Sequence, residues 1–354
     1  MWGDKANIPM QRQDWNFGTQ FQIERTLLDV SYVGAKSTRL NTGAFNPNQV
    51  DPKYLSLGTL LQKDIADPDV AAAGFRAPYA GFTGSLAQAL RPFPQYLGVG
   101  MNNTANVGNS TYHSLQAKVE RQFSSGLFLL STYTWSKSIT DANSALGSFF
   151  SPAARDHYNR SLEKALSVFD SPHRFVTAFT YELPFGPGKA IGNVGGITGK
   201  LIGGWQVNGI LTYASATPIQ VAVNNTLPLF NSGNTPDSVI GVDPKVNSSS
   251  FDPNRDLYLN IKAFSVPAPG AIGTSSIVLP HTRGFFRLNE DFGILKRTSI
   301  NESVNIEFRF EMFNAFNRTI FASPDANISS SNFGRVTGQA NGPRNGQFAL
   351  KVNF

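Results

Sequence analysis

Apolar and polar residues alternate with a period of two along much of the chain, and helical spacing is scarce. The clearest stretch sets Val304, Ile306, Phe308, Phe310 and Met312 against Asn305, Glu307, Arg309 and Glu311. One face of that segment is wholly apolar and the other polar or charged. Phe286, Leu288, Phe292 and Ile294 alternate with Arg287, Asn289 and Asp291 just upstream, so a turn at Arg297–Ser299 predicts a hairpin. Trp15, Phe17, Phe21 and Ile23 form a similar series, turning near Arg25-Thr26 into Leu28, Val30 and Tyr32. In all, the pattern predicts nine strands, at about 13–25, 27–40, 109–123, 126–140, 171–185, 202–217, 283–297, 301–317 and 346–354.

The connections between these strands alternate in kind. Those near 25–27, 123–126, 186–201 and 297–301 are turns or Gly-rich links, whereas 41–108, 141–170, 218–282 and 318–345 are long and polar. Loops beyond about 12–15 residues are uncommon in compact domains and usually functional. Short links at one end and long loops at the other are the mark of outer-membrane barrels, whose strands of nine to eleven residues or more cross tilted. Aromatics at strand ends (Trp15, Phe123, Trp135, Phe185, Trp205, Phe286, Phe354) suit an interfacial girdle.

Composition sharpens this picture. Charged residues are 15% of the 354 residues, low for a soluble domain, while aromatics reach 12% and Phe alone counts 28. No apolar run is long enough for a membrane helix. The net charge of +6 is mild and there is no basic block, so no nucleic-acid partner is expected. With no Cys, disulfides, Cys-based zinc sites and thiol nucleophiles are excluded. Residues 1–14 lack the apolar core of a signal peptide, so the chain reads either as cytoplasmic or as the tail of something longer.

Candidate chemistry is sparse. His113, His157, His173 and His281 are scattered, without metal-binding spacing. Ser167, Asp170, Ser171 and His173 lie close in sequence, but neighbours along a strand point to opposite faces, so no triad is expected. Asp64, Asp67 and Asp69, or Asp252 and Asp256, miss the calcium-loop pattern and read as solvated loop carboxylates. The glycines of 186–204 are not followed by a predicted helix, which argues against a phosphate cradle. No catalytic residue, metal or cofactor is expected. Tyr54, Phe75, Tyr79, Phe82, Phe93 and Tyr96 enrich the first long loop, where they either stack on a sugar or peptide ligand or pack on one another.

Several stretches together resemble the TonB-dependent outer-membrane receptors of the Oar-like type. They are YHSLQAKVERQFSSGLFLLSTYTWSKSITD (112–141), DSPHRFVTAFTYELPFGPGK (170–189), GGWQVNGILTYASATP (203–218), FRFEMFNAFNRTIF (308–321) and NGQFALKVNF (345–354). The resemblance runs from about Trp15 to the terminus. It implies a signal peptide, often a regulatory β-sandwich, a plug, and a barrel of about 22 strands. It also implies ligand capture by extracellular loops and uptake powered through TonB, by binding and plug rearrangement instead of bond chemistry. No TonB box, plug or regulatory domain is legible here.

Counting strands gives the same expectation independently. Nine in a meander leave the first and last running parallel, whereas bacterial single-chain barrels have even strand numbers. An open sheet has two edges that lipid cannot satisfy. The expected fold is therefore all-β: residues 1–354 as one partial transmembrane barrel, an antiparallel meander with long extracellular loops and short periplasmic turns. Expected partners are outer-membrane lipid, the barrel assembly machinery, a small peptide or carbohydrate ligand, and TonB only through a plug. Other readings are a small passive porin or structural barrel, or a secreted glycan-binding β-sandwich. Phe348, Leu350, Val352 and Phe354 end the chain in an alternating series. The resemblance implies that the terminal aromatic is an assembly signal at the periplasmic rim.

Overall fold

The computed structural model describes residues 8–42, 47–97, 106–124, 126–142, 155–224, 234–246 and 250–354. Ser125, expected in a turn, and part of the first-, second- and third-loop sequence lie outside them. Nine strands pair antiparallel in chain order: β1 (Gln11–Ile23), β2 (Thr26–Asn41), β3 (Asn106–Ser124), β4 (Leu127–Thr140), β5 (His173–Glu182), β6 (Trp205–Ala214), β7 (Arg287–Ser299), β8 (Asn305–Phe313) and β9 (Asn345–Asn353). Ala165–Leu166 adds a two-residue strand beside the outer end of β4. The meander is open, with β1 at one edge and β9 at the other.

Register explains why the two-residue period survives across the whole sheet. Leu127, Tyr181, Val207, Ile294, Phe310 and Phe348 stand opposite one another in one row over six strands. One residue away, Phe128, Thr180, Asn208, Gly293, Glu311 and Gln347 form the neighbouring row on the other face. A one-residue slip in any strand would exchange these faces, so the alternation fixes the register. Gly293 has a packing reason, because a Cβ there would come within 2.5 Å of the Asn208 Oδ1. On the apolar face the Trp15 indole covers Gly34, where a Cβ would sit 2.3 Å from the ring.

Strand ends differ from the expected ones where local chemistry intervenes. β8 stops at Phe313 because Asn314 takes a left-handed conformation, φ 47°, and Asn317 another, φ 51°. The β7–β8 turn falls at 300–304, not Arg297–Ser299, since the Asn301 carboxamide oxygen accepts from the Ser303 and Val304 N–H groups. The first turn is likewise Glu24-Arg25, with Glu24 at φ 51°. The link after β5 holds a seven-residue helix, Gly196–Ile202, which the glycine-rich sequence hid. Lys296 donates to the carbonyls of Lys200 and Gly203 at its end, at 2.9 and 2.6 Å.

The long connections fold into compact units. Within 47–97, short helices at Pro52–Gln62, Pro68–Ala72 and Leu86–Ala89 enclose Val50, Leu61, Ile65, Val70, Phe82 and Leu86. A second core joins the segments after β6 and β8, through Ile219, Val221, Leu259, Phe264, Leu279 and Phe333. Buried polar links tie the units together. Gln49 donates to Asp156 at 2.9 Å, and Arg155 pairs with Glu163 at 3.2 Å while bonding Thr235. Full burial of such an ion pair is tolerable only because its remaining donors also find acceptors.

Candidate functional site

The polar face carries two adjoining hollows at the loop ends of β3, β4 and β5. The larger, about 290 Å³, is lined by Tyr112, Gln116, Thr134, Phe169 and Arg174 among others. The smaller, about 150 Å³, shares Ser138 and Phe169 with it. Period two places Thr134, Ser136 and Ser138 side by side on one face of β4, so their hydroxyls form a ladder. Phe169 projects from the connection before β5 with 59% of its surface exposed. Arg174 is exposed and has no ion-pair partner among the described residues.

Asp170 fixes the rim. Its side chain is 1% exposed, accepts the Ser138 N–H at 2.7 Å and pairs with Arg283 at 2.6 Å. Arg283 also donates to the Asp170 and Ala216 carbonyls, so one guanidinium joins three segments. Ser171 donates to the Ser215 carbonyl at 2.8 Å, and His173 bonds Tyr133 at 2.8 Å on the apolar face. The serine, aspartate and histidine of this stretch are thus committed to separate structural partners. Hydroxyls, an amide, one free guanidinium and one exposed ring can bind a polar, hydrogen-bonding ligand with an anionic or flat apolar part.

The six aromatic residues singled out in the first loop divide. Phe82 is buried, and Tyr54 and Phe75 pack against the same core, with their rings edge-on at 6.3 Å. Tyr79, Phe93 and Tyr96 are exposed. Asn48, fully buried, holds the last two by donating to the Phe93 and Tyr96 carbonyls and accepting the Phe93 N–H. The loop carboxylates have local duties: Asp67 accepts the Asp69 N–H at a helix start, and Asp69 pairs with Lys63. Asp252 accepts from Asn254 and Arg255. Phe348, Leu350 and Val352 line the apolar side of the β9 edge, with Phe354 just beyond the strand. Sequence reasoning missed Phe169 and Arg174. For Arg174 the available signal is its place in the polar half of the alternation; for Phe169, which lies in the connection before β5, the sequence carries no periodic signal.

The family model described as outer membrane beta barrel domain matches residues 4–347, and the chain belongs to that family. Its apolar face therefore meets lipid, its polar face lines the lumen, and it resides in the outer membrane. No curated protein matches. Among solved structures it is similar to the outer membrane transporter YddB from Escherichia coli, at 9% identity and TM-score 0.43, covering 97% of this chain and 32% of that one. It is also similar to the ferric citrate transporter FecA in its unliganded form, at 10% identity and TM-score 0.40, covering 97% and 31%. The ferripyoverdine receptor of Pseudomonas aeruginosa gives 10% identity and TM-score 0.40, covering 99% and 28%. The chain thus spans under a third of the length of these three.

Proposed function

We propose that this chain forms part of the wall and extracellular surface of an Oar-like, TonB-dependent receptor that binds a small peptide or carbohydrate and passes it into the lumen. The observation that carries this reading is the pair of hollows on the polar face at the loop ends of β3, β4 and β5, furnished with Arg174, Phe169 and a hydroxyl ladder. Exposed Tyr79, Phe93 and Tyr96 supply first contact, while Tyr54, Phe75 and Phe82 hold the loop that presents them. Ring stacking suits sugars and peptide planes, and the role is binding, without bond chemistry. The remainder of the barrel and the plug that engages TonB belong to the longer protein of which this chain is part. Support for that comes from the two open edges, which lipid cannot satisfy. Phe348, Leu350, Val352 and Phe354 serve as the strand read by the barrel assembly machinery.

The test is uptake of fluorescent peptide and oligosaccharide pools by cells carrying the complete gene. Uptake should stop when a proton uncoupler is added, and Arg174→Ala with Phe169→Ala should lower it about thirtyfold, each lost contact being worth about 1 kcal/mol. Uptake indifferent to the uncoupler would favour a passive pore instead. For the terminal strand, deleting Phe354 should reduce outer-membrane yield while leaving refolding in detergent nearly unchanged. Normal insertion in cells would refute the signal role.

A further inference from the structure

A larger cavity, about 540 Å³, lies on the opposite, lipid-facing side of the same strands. Its wall includes Tyr32, His113, Trp135, Lys137, His281 and Arg283. His113 and Lys137 are direct cross-strand partners on β3 and β4, and Trp135 is the next residue on that face. His281 and Arg283 arrive from Val278–Arg283, a short strand paired with Pro218–Gln220 beyond the end of the sheet. The cavity thus sits where membrane wall gives way to extracellular structure.

Its height follows from the strand. Lys137 is ten residues beyond Leu127, which begins β4 at the short-turn end. At about 3.3 Å per residue and a tilt near 45°, that rise is about 23 Å along the membrane normal. The apolar band of such barrels is about 25 Å tall. Lys137 therefore stands at the outer-leaflet headgroups, with the exposed Trp135 ring just below it, at the depth where interfacial Trp and Tyr gather.

Charge in the cavity is positive. Arg283 is balanced by Asp170, which also contributes to the lining. Lys137 and His281 have no ion-pair partner among the described residues. Tyr32 engages Nδ1 of His113 at 2.7 Å with the rings stacked at 18°, leaving Nε2 as the remaining ring nitrogen. Two strands further on, Tyr133 and His173 repeat this diagonal pair at 2.8 Å and 21°, but neither lines the cavity. The Tyr–His pair alone is thus strand packing. What distinguishes the first copy is the hollow, with the Lys137 ammonium and the His281 ring on its wall.

We propose that this cavity seats the phosphate-bearing headgroup of an outer-leaflet glycolipid. Lys137 and His281 contact the phosphate, and Trp135 and Tyr32 pack on the upper part of the lipid. Basic pockets at membrane-headgroup depth recognise anionic lipids by this combination of charge and burial. The site shares Ser136 and Asp170 with the larger lumenal hollow, but Lys137, His281, Trp135 and Tyr32 line this cavity alone, so the proposal does not depend on which ligand the lumen carries.

The experiment extracts the complete protein from outer membranes in mild detergent and counts retained phosphorylated glycolipid by native mass spectrometry. Wild type should keep one such lipid through exchange into lipid-free detergent. Lys137→Gln combined with His281→Gln should lower retention about a hundredfold, about tenfold for each lost contact to the charged phosphate. Lys137→Arg, which keeps the charge, should retain the lipid as wild type does, and His173→Gln, in the second Tyr–His pair, should leave retention unchanged. Heat-modifiable migration confirms that each variant is folded. Rebinding of the same lipid after phosphatase treatment should be about a hundredfold weaker. Equal retention by the double variant and wild type would overturn the proposal. So would displacement of the lipid by millimolar inorganic phosphate, which would make the cavity a site for soluble anions.

Discussion

The sheet and the loops hide apolar surface in opposite ways. In the sheet, each strand alternates, and the apolar rows such as Tyr181, Val207, Ile294, Phe310 and Phe348 are left for lipid. The loops turn theirs inward, around Leu61 and Leu86 in one unit and Leu259 and Phe264 in the other. The difference follows from solvent. A wall between lipid and lumen needs no core of its own, whereas segments of chain in water must enclose one. It also separates the energetics, because sheet stability depends on the membrane and loop stability on packing and buried polar partners.

The largest test of this contrast lies where the two regions meet. Glu290 is on the lipid-facing side of β7, fully buried, and held by Arg318 from the segment after β8 at 3.1 Å. Arg318→Met would remove the cation that pairs with that buried carboxylate, and should destabilise the protein more than any change below. The double variant with Glu290→Gln should recover much of that loss. Unfolding of refolded protein in lipid would check both, and a mild effect of the single change would mean that the pair contributes little.

Next in size is Phe308→Arg, which places a charge on the lipid face. It should cost about 2–4 kcal/mol near the bilayer midplane. Arg309→Gln, one residue along and facing the lumen, should cost under about 1 kcal/mol, since Arg297 still holds Glu307 at 2.7 Å. Reversed costs would move the β8 register by one residue.

Within the loops, Asn48→Ala removes the clamp on Phe93 and Tyr96. Local stability of 48–97 should fall by about 1–3 kcal/mol, read by hydrogen exchange, while the β strands keep their protection. Loss of protection in β2 and β3 as well would join the two regions into one cooperative unit.

The smallest effect concerns pH. Burial pushes the His157 imidazole below its ordinary value, with Asp156 opposing and Arg160 assisting. A depressed histidine binds its proton more readily when unfolded. Its contribution is therefore intact above the unfolded pKa of about 6.5 and falls as pH drops below it. Protection factors near residues 155–163, taken as observed rates against the intrinsic rate at each pH, should fall on acidification from about pH 7.5 to 5.5. His157→Gln should flatten that response, and an unchanged slope would remove His157 as its source.

These regions also differ in how far the sequence revealed them. The strands were legible because every one repeats the same two-residue rule, from Trp15 and Phe17 to Phe348 and Leu350. Their ends were less so, since β8 stops on the backbone conformation of Asn314 and β7 runs on to Ser299 until Asn301 caps the turn. Loop cores were opaque: Leu61 meets Leu86, and Leu259 meets Phe333, without periodicity to announce either contact. The lumenal hollow joins Tyr112, Thr134, Phe169 and Arg174 from separate strands and connections, which only pairing could bring together.

The central claim is that one face of the sheet meets lipid and the other water, residue by residue. Spin labels placed singly at Ile306 through Glu311 in the membrane-inserted protein test it most directly. Labels at Ile306, Phe308 and Phe310 should relax with lipid-dissolved oxygen, and those at Glu307, Arg309 and Glu311 with a water-soluble nickel complex. Accessibility that rises and falls with a period of two is the predicted result. A flat profile, or one with the two sets exchanged, would contradict the account.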